Sequence, residues 1–106
     1  MPSAILAGYI GQLNKLAQAR GLKYFGITTD HWVLENSTYY KIGSYYDEFE
    51  QITVAETQKW GNVEAVEGQY TYQNDDDIAN LAKNDGQLLR CHNLVWSLNL
   101  LSWGIE

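Results

Sequence analysis

The alternation of strand-like and helix-like segments constrains the fold of this chain more than any other feature. The strand-like segments are short and rich in β-branched or aromatic side chains, and they comprise residues 23–28, 51–54 and 88–95. Tyr24 and Gln51 are 27 positions apart and Gln51 and Leu88 are 37 apart, which suits right-handed βαβ crossovers of roughly 30 or more residues. The sequence therefore predicts a parallel α/β sheet, either small and open or one part of a larger fold.

Three helices are predicted to accompany these strands. The first covers about residues 3–20 and is ended by Gly21, and the second runs from Asn36 or Ser37 to about Tyr46. The third is expected to begin with Asn74 as its cap, followed by three aspartates at the positive end of its dipole. Its predicted buried stripe comprises Ile78, Leu81 and Ala82. Loops are predicted over residues 29–35 and 55–71.

Composition and charge exclude several classes of partner. The 106-residue chain has a net charge of −6, so most of its surface would repel the phosphates of a nucleic acid. No segment reaches the roughly 18 apolar residues that span a bilayer, and the start of the chain lacks the features of a signal peptide. We therefore expect one domain without nucleic-acid or membrane partners. A cytosolic chain and a mature piece of a secreted protein remain alternatives.

Polar and aromatic side chains follow each of the three predicted strands. In parallel α/β folds, ligands gather at the carboxyl ends of the strands. The residues expected there are Asp30, His31, Glu56, Lys59, Trp60, His92 and Trp96. Lysine and imidazole donate hydrogen bonds to hydroxyl groups, and indole packs against the apolar face of a sugar ring. The pattern favours a site for a polyol.

Four motifs resemble those of one glycoside hydrolase family. The most specific is the run Leu88–Trp96, and the others comprise Lys59-Trp60, Phe49–Thr53 and Gly21–Gly26 followed by Thr29-Asp30. Together they are similar to the N-terminal third of family 10 endo-β-1,4-xylanases of the fungal type. The resemblance implies an α/β fold, a partial (β/α)8 TIM barrel of about three parallel strands with flanking helices. Residues 1–106 would then form a single incomplete family 10 domain.

The resemblance also implies site residues and a substrate. Lys59, His92 and Trp96 match positions that line the glycone subsites, and Glu56 stands where the family has a sugar-contacting asparagine. Such enzymes are retaining and use two glutamates roughly 5 Å apart, both from strands beyond the third. We therefore expect weak binding of xylan or xylo-oligosaccharide, no catalytic residue, no cofactor and no activity of this chain alone. Family members are usually secreted.

Other interpretations accompany these expectations. Lys59 could simply pair with Glu56, three residues earlier, and His92 or Trp96 could be ordinary core residues. Cys91 next to His92 does not indicate a metal site, because adjacent strand residues point to opposite faces. A non-catalytic remnant that binds a sugar or a protein is the alternative function. Either way, unpaired edges of a three-strand sheet predict self-association.

Overall fold

Three parallel strands form the sheet predicted from the sequence. The computed structural model describes residues 11–104. The strands are β1 (Gly26–Thr29), β2 (Gln51–Val54) and β3 (Leu88–Arg90), in the order β1-β2-β3. Gln51 on β2 is in register with Gly26 on β1 and with Leu88 on β3. All three carboxyl ends therefore lie at the same edge of the sheet.

Residues 11–104 also contain four α-helices and two 3₁₀ helices, which precede, connect and follow the strands. The α-helices are α1 (Leu13–Ala19), α2 (Ser37–Gly43), α3 (Trp60–Val63) and α4 (Gln73–Asn84). The 3₁₀ helices are His31–Glu35 and Ser102–Gly104. None of the helices in residues 11–104 is both long and apolar enough to cross a bilayer.

The core lies between the sheet and α4. Ile52 and Val54 on β2 pack with Ile78, Leu81 and Ala82 of α4, and Ile27 and Leu34 cover the cluster from the side. The predicted stripe of α4 is thus confirmed. Every residue of β2 is buried whereas every residue of β3 is exposed. The central strand is therefore shielded from solvent, and the side of the sheet formed by β3 is open to solvent.

Several predicted boundaries differ from the structure. The first helix ends near Gly21 as expected, with φ of 87° at that glycine, but residues 3–10 of the prediction lie outside the described part. Asn36 caps α2 through its side chain, and the helix ends at Gly43 rather than Tyr46. Asn74 does not cap α4: the helix begins at Gln73 without a side-chain cap.

The third strand is much shorter than predicted. The expected strand of residues 88–95 pairs only over Leu88–Arg90, because its partner β2 ends at Val54, one residue beyond the partner of Arg90. The expected loop at 29–35 contains a 3₁₀ helix, and the loop at 55–71 contains α3. His92 is consequently an exposed loop residue, and the alternative in which it is a core histidine is wrong.

The open side of β3 leads to a prediction about association. Leu88, Leu94, Val95 and Leu98 are 51–77% exposed, next to a strand with one unpaired edge, and such edges favour pairing between chains. We expect sedimentation velocity to show concentration-dependent self-association. Leu88→Lys should reduce it, whereas Leu16→Lys, a control on exposed α1, should not. A single monomeric species over a wide concentration range would contradict this expectation.

Candidate functional site

A cleft lies at the carboxyl ends of the three strands. Its volume is about 440 Å³, and its lining residues are Thr28, Thr53, Ala55, Glu56, Lys59, Arg90, His92, Asn93 and Trp96. The four residues expected at the site from the family resemblance are all among them. They come from two separate loops, one after β2 and one after β3, which the parallel sheet brings side by side.

Lys59 is the most enclosed charged residue of the cleft. It is 3% exposed, and its Nζ donates a hydrogen bond to the carbonyl oxygen of Ala55. Glu56 Oε1 lies 3.4 Å from the same Nζ, so the ion pair considered from the sequence does form. The ammonium group also lies 5.5 Å from the centroid of the Trp96 ring, within the range of a cation–π contact. These three contacts fix the ammonium group where the two loops meet.

One backbone hydrogen bond joins the two loops, and two further hydrogen bonds brace the segment that follows β2. The amide of Trp60 donates to the carbonyl of Leu94 at 2.7 Å, and the amide of Lys59 donates to the carbonyl of Glu56 at 2.9 Å. The side-chain amide of Asn62 also donates to the Glu56 carbonyl, at 2.7 Å. Lys59 immediately precedes α3 in an extended conformation. The Trp60–Leu94 hydrogen bond at the start of α3 therefore joins the segment that carries Lys59 to the segment that carries Trp96.

Trp96 and His92 present accessible surfaces to the cleft. Trp96 is 38% exposed and His92 is also exposed. An indole with a free face can pack against a sugar ring. An imidazole can donate a hydrogen bond to a hydroxyl group or accept one from it. The cleft thus combines one aromatic surface with several polar side chains, an arrangement that suits an uncharged polyol.

Three residues expected at the same rim lie elsewhere. His31 lines a different pocket with Glu35 and Asp77. Trp60 points away from the cleft and packs edge-to-face against Trp103, with centroids 5.2 Å apart. Asp30 is buried under the loop that follows β2.

The indole of Trp60 belongs to a second, apolar groove. Cys91, Leu94 and Val95 line this groove together with Tyr70, whereas His92 lines the cleft. Cys91 and His92 thus lie beyond the end of β3 and line different surfaces. The groove contains Glu64, whose carboxylate accepts from the Gly68 amide and from the Trp60 indole. These hydrogen bonds, the Gly68 one foremost, lower the pKa of Glu64.

Sequence reasoning missed several residues of the cleft. Arg90, Asn93, Thr28 and Thr53 line it but were not among the predicted site residues. Arg90 and His92 are two positions apart, so the alternation of a strand could have placed both on the same face. Thr28 and Thr53 are neighbours across the β1–β2 register, and they could have been found from the pairing of the two strands.

The chain matches proteins of one family over nearly its full length. The family model described as glycosyl hydrolase family 10 matches residues 12–105. An endo-1,4-beta-xylanase A of Phanerodontia chrysosporium is 47% identical over 92 residues, which cover 87% of this chain and 22% of the relative. An endo-1,4-beta-xylanase of Agaricus bisporus is 44% identical over 101 residues, covering 94% and 30%.

A solved structure places the sheet in its larger architecture. The family 10 xylanase of Bispora sp. MEY-1, crystallised with xylobiose, has a TM-score of 0.74 and 29% identity, covering 86% of this chain and 28% of that one. The three strands and their helices are thus part of a TIM barrel. The chain belongs to glycosyl hydrolase family 10. It spans 22–30% of the length of these three relatives.

Proposed function

We propose that this chain provides part of the glycone subsites of an endo-1,4-β-xylanase-type cleft, and that the catalytic glutamates are not among its residues. The observation that carries the proposal is the meeting of Lys59, His92 and Trp96 in one cleft. Trp96 would pack against a xylose ring, while Lys59 and His92 would bind its hydroxyl groups. Relatives with this family membership are endo-1,4-beta-xylanases by name.

The charges of the cleft support a binding role without catalysis. Glu56 is the single carboxylate among the residues that line it, whereas a retaining glycosidase needs a pair roughly 5 Å apart. Glu56 Oε1 also lies 3.4 Å from Lys59 Nζ, so this single carboxylate is already engaged in an ion pair.

Titration of the chain with xylotriose, followed by NMR, tests the proposal. We expect weak binding, with a dissociation constant of about 1 mM or higher, since an open cleft of this size leaves much of the sugar hydrated. The largest shifts should fall on the Trp96 indole, His92 and Lys59. Shifts scattered away from these three residues would favour the non-catalytic alternative, a remnant that binds another partner.

Replacement of Glu56 by asparagine should strengthen xylotriose binding. A carboxylate only accepts hydrogen bonds whereas an amide also donates them, and Glu56→Asn removes the ion pair that engages Lys59 at 3.4 Å. We expect affinity to rise about threefold to tenfold, the net worth of roughly one hydrogen bond. The NMR titration with xylotriose measures the affinity of this variant.

Glu56→Gln is the matched control for this substitution. It removes the charge but keeps the longer side chain, so it separates the loss of the ion pair from the placement of the amide. Binding that is tighter with Glu56 than with asparagine would contradict the prediction.

A further inference from the structure

A buried carboxylate ties the loop after β2 to the end of β1. Asp30 directly follows β1 and is 8% exposed. Its Oδ1 accepts hydrogen bonds from the backbone amides of Glu56, at 2.7 Å, and Thr57, at 2.8 Å. The hydroxyl group of Thr57 donates a third one at 2.8 Å. Hydrogen bonds to an ionised acceptor are roughly twice as strong as neutral ones. The three bonds to this oxygen therefore hold the loop after β2 against the end of β1.

Thr57 is held from two sides. It is 3% exposed, and its hydroxyl oxygen also accepts a hydrogen bond from the backbone amide of His31 at 3.2 Å. Asp30 has no cationic partner among residues 11–104, where the ion pairs are Lys15–Asp47 and Lys59–Glu56. The three donors from the loop are therefore what compensates the buried charge of Asp30.

The anchored segment carries two residues of the cleft. Glu56 precedes Thr57 and Lys59 follows it by two positions, while neither Asp30 nor Thr57 lines the cleft itself. Any shift of the segment would move the Glu56 carboxylate and the Ala55 carbonyl that accepts from Lys59 Nζ. We infer that Asp30 and Thr57 are positioning residues, a latch that holds the segment after β2 in the geometry in which Lys59 binds sugar. This inference rests on the proposed function.

Thr57→Val tests the latch because valine keeps the size and branching of threonine but removes its hydroxyl group. We expect three changes: weaker xylotriose binding by about fivefold or more, faster hydrogen exchange of the Glu56 and Thr57 amides, and a changed ring-current shift of the Lys59 ε-methylene protons. The ring-current shift arises because Lys59 Nζ lies 5.5 Å from the Trp96 centroid. A purely structural role would lower stability without altering this shift in the folded chain.

Two variants serve as controls. Thr57→Ser restores the hydroxyl group and should restore all three readouts. Thr38→Val makes the same chemical change at an exposed position of α2 and should change none of them. Thr57→Val with unchanged xylotriose affinity and an unchanged Lys59 shift would overturn the inference.

Hydrogen exchange of the unaltered chain tests the latch even if Thr57→Val does not fold. The amides of Glu56 and Thr57 should exchange at least about tenfold more slowly than the amide of the exposed Leu98, since buried acceptors protect them. Equal rates would overturn the latch. If the unaltered chain fails to bind xylotriose, the proposed function fails, while exchange and the Lys59 shift still report whether the latch holds the loop.

Discussion

Ile78→Ala should remove much of the stability of the chain. Ile78 is fully buried on α4, against Ile52 and Val54 of β2. Truncation of a buried isoleucine costs about 2–5 kcal/mol in the free energy of unfolding, out of a total of roughly 5–15 kcal/mol for a small domain. The midpoint of thermal unfolding should fall by about 10–40 °C, at roughly 4–8 °C for each kcal/mol.

Leu22→Ala is the matched control because it removes the same number of carbon atoms from a side chain that is 62% exposed. Its midpoint should change by only a few degrees, in line with surface substitutions of about ±0.5 kcal/mol. Circular dichroism at increasing temperature measures both variants. An equal loss for the two would mean that the interface between β2 and α4 is not the main core.

Purified protein consisting of these 106 residues should not hydrolyse xylan. Leaving-group protonation and nucleophilic attack need two carboxylates roughly 5 Å apart, and Glu56 is the single carboxylate among residues 11–104 that lines the cleft. Because no pair of carboxylates is available to act as acid and nucleophile, we expect no release of reducing sugar above that of a blank, even over long incubations.

A cleft variant distinguishes true turnover from contamination. Lys59→Met removes the ammonium group that binds both Glu56 and the Ala55 carbonyl. Activity that is equal in the unaltered chain and in Lys59→Met would come from a contaminating enzyme. Turnover that disappears with Lys59→Met would contradict the proposal that the chain binds without catalysing.

The central part of the fold was predictable because burial shapes its sequence. β2 was predicted at its observed bounds, 51–54, and the stripe of α4 was predicted residue by residue. β3 was overpredicted because the strand-like pattern of the sequence continues to Val95, whereas its partner β2 ends at Val54, one residue beyond the partner of Arg90. The sequence shows which residues prefer the strand conformation. A strand forms only where a neighbouring strand can pair with its backbone groups.

The cleft was predictable in part, and for two different reasons. The rule that ligands gather at strand ends, together with the family motifs, led to Glu56, Lys59, His92 and Trp96, which line one cleft. The same rule failed for Trp60, whose ring turns into the apolar groove although it is adjacent to Lys59. Proximity to a strand end fixes the position of the backbone but not the direction of a side chain.

The contact between the two latch residues could not have been found from the sequence. Asp30 and Thr57 are 27 positions apart, and neither residue type at a strand end indicates the other. Their hydrogen bonds follow from the β1–β2 register, which continues into the loop through the Ala55 amide and the Thr29 carbonyl at 2.9 Å. Only the paired strands bring the carboxylate and the hydroxyl group together.

The position of bound xylotriose tests the central claim most directly. Intermolecular NOEs should connect sugar protons to the Trp96 indole and to the His92 ring, and Trp96→Ala should abolish them because the stacking surface is lost. Trp32→Ala, a control at a 47% exposed tryptophan away from the cleft, should leave them intact. NOEs from the sugar to Trp60 and Tyr70 in the apolar groove, and none to Trp96, would contradict the account.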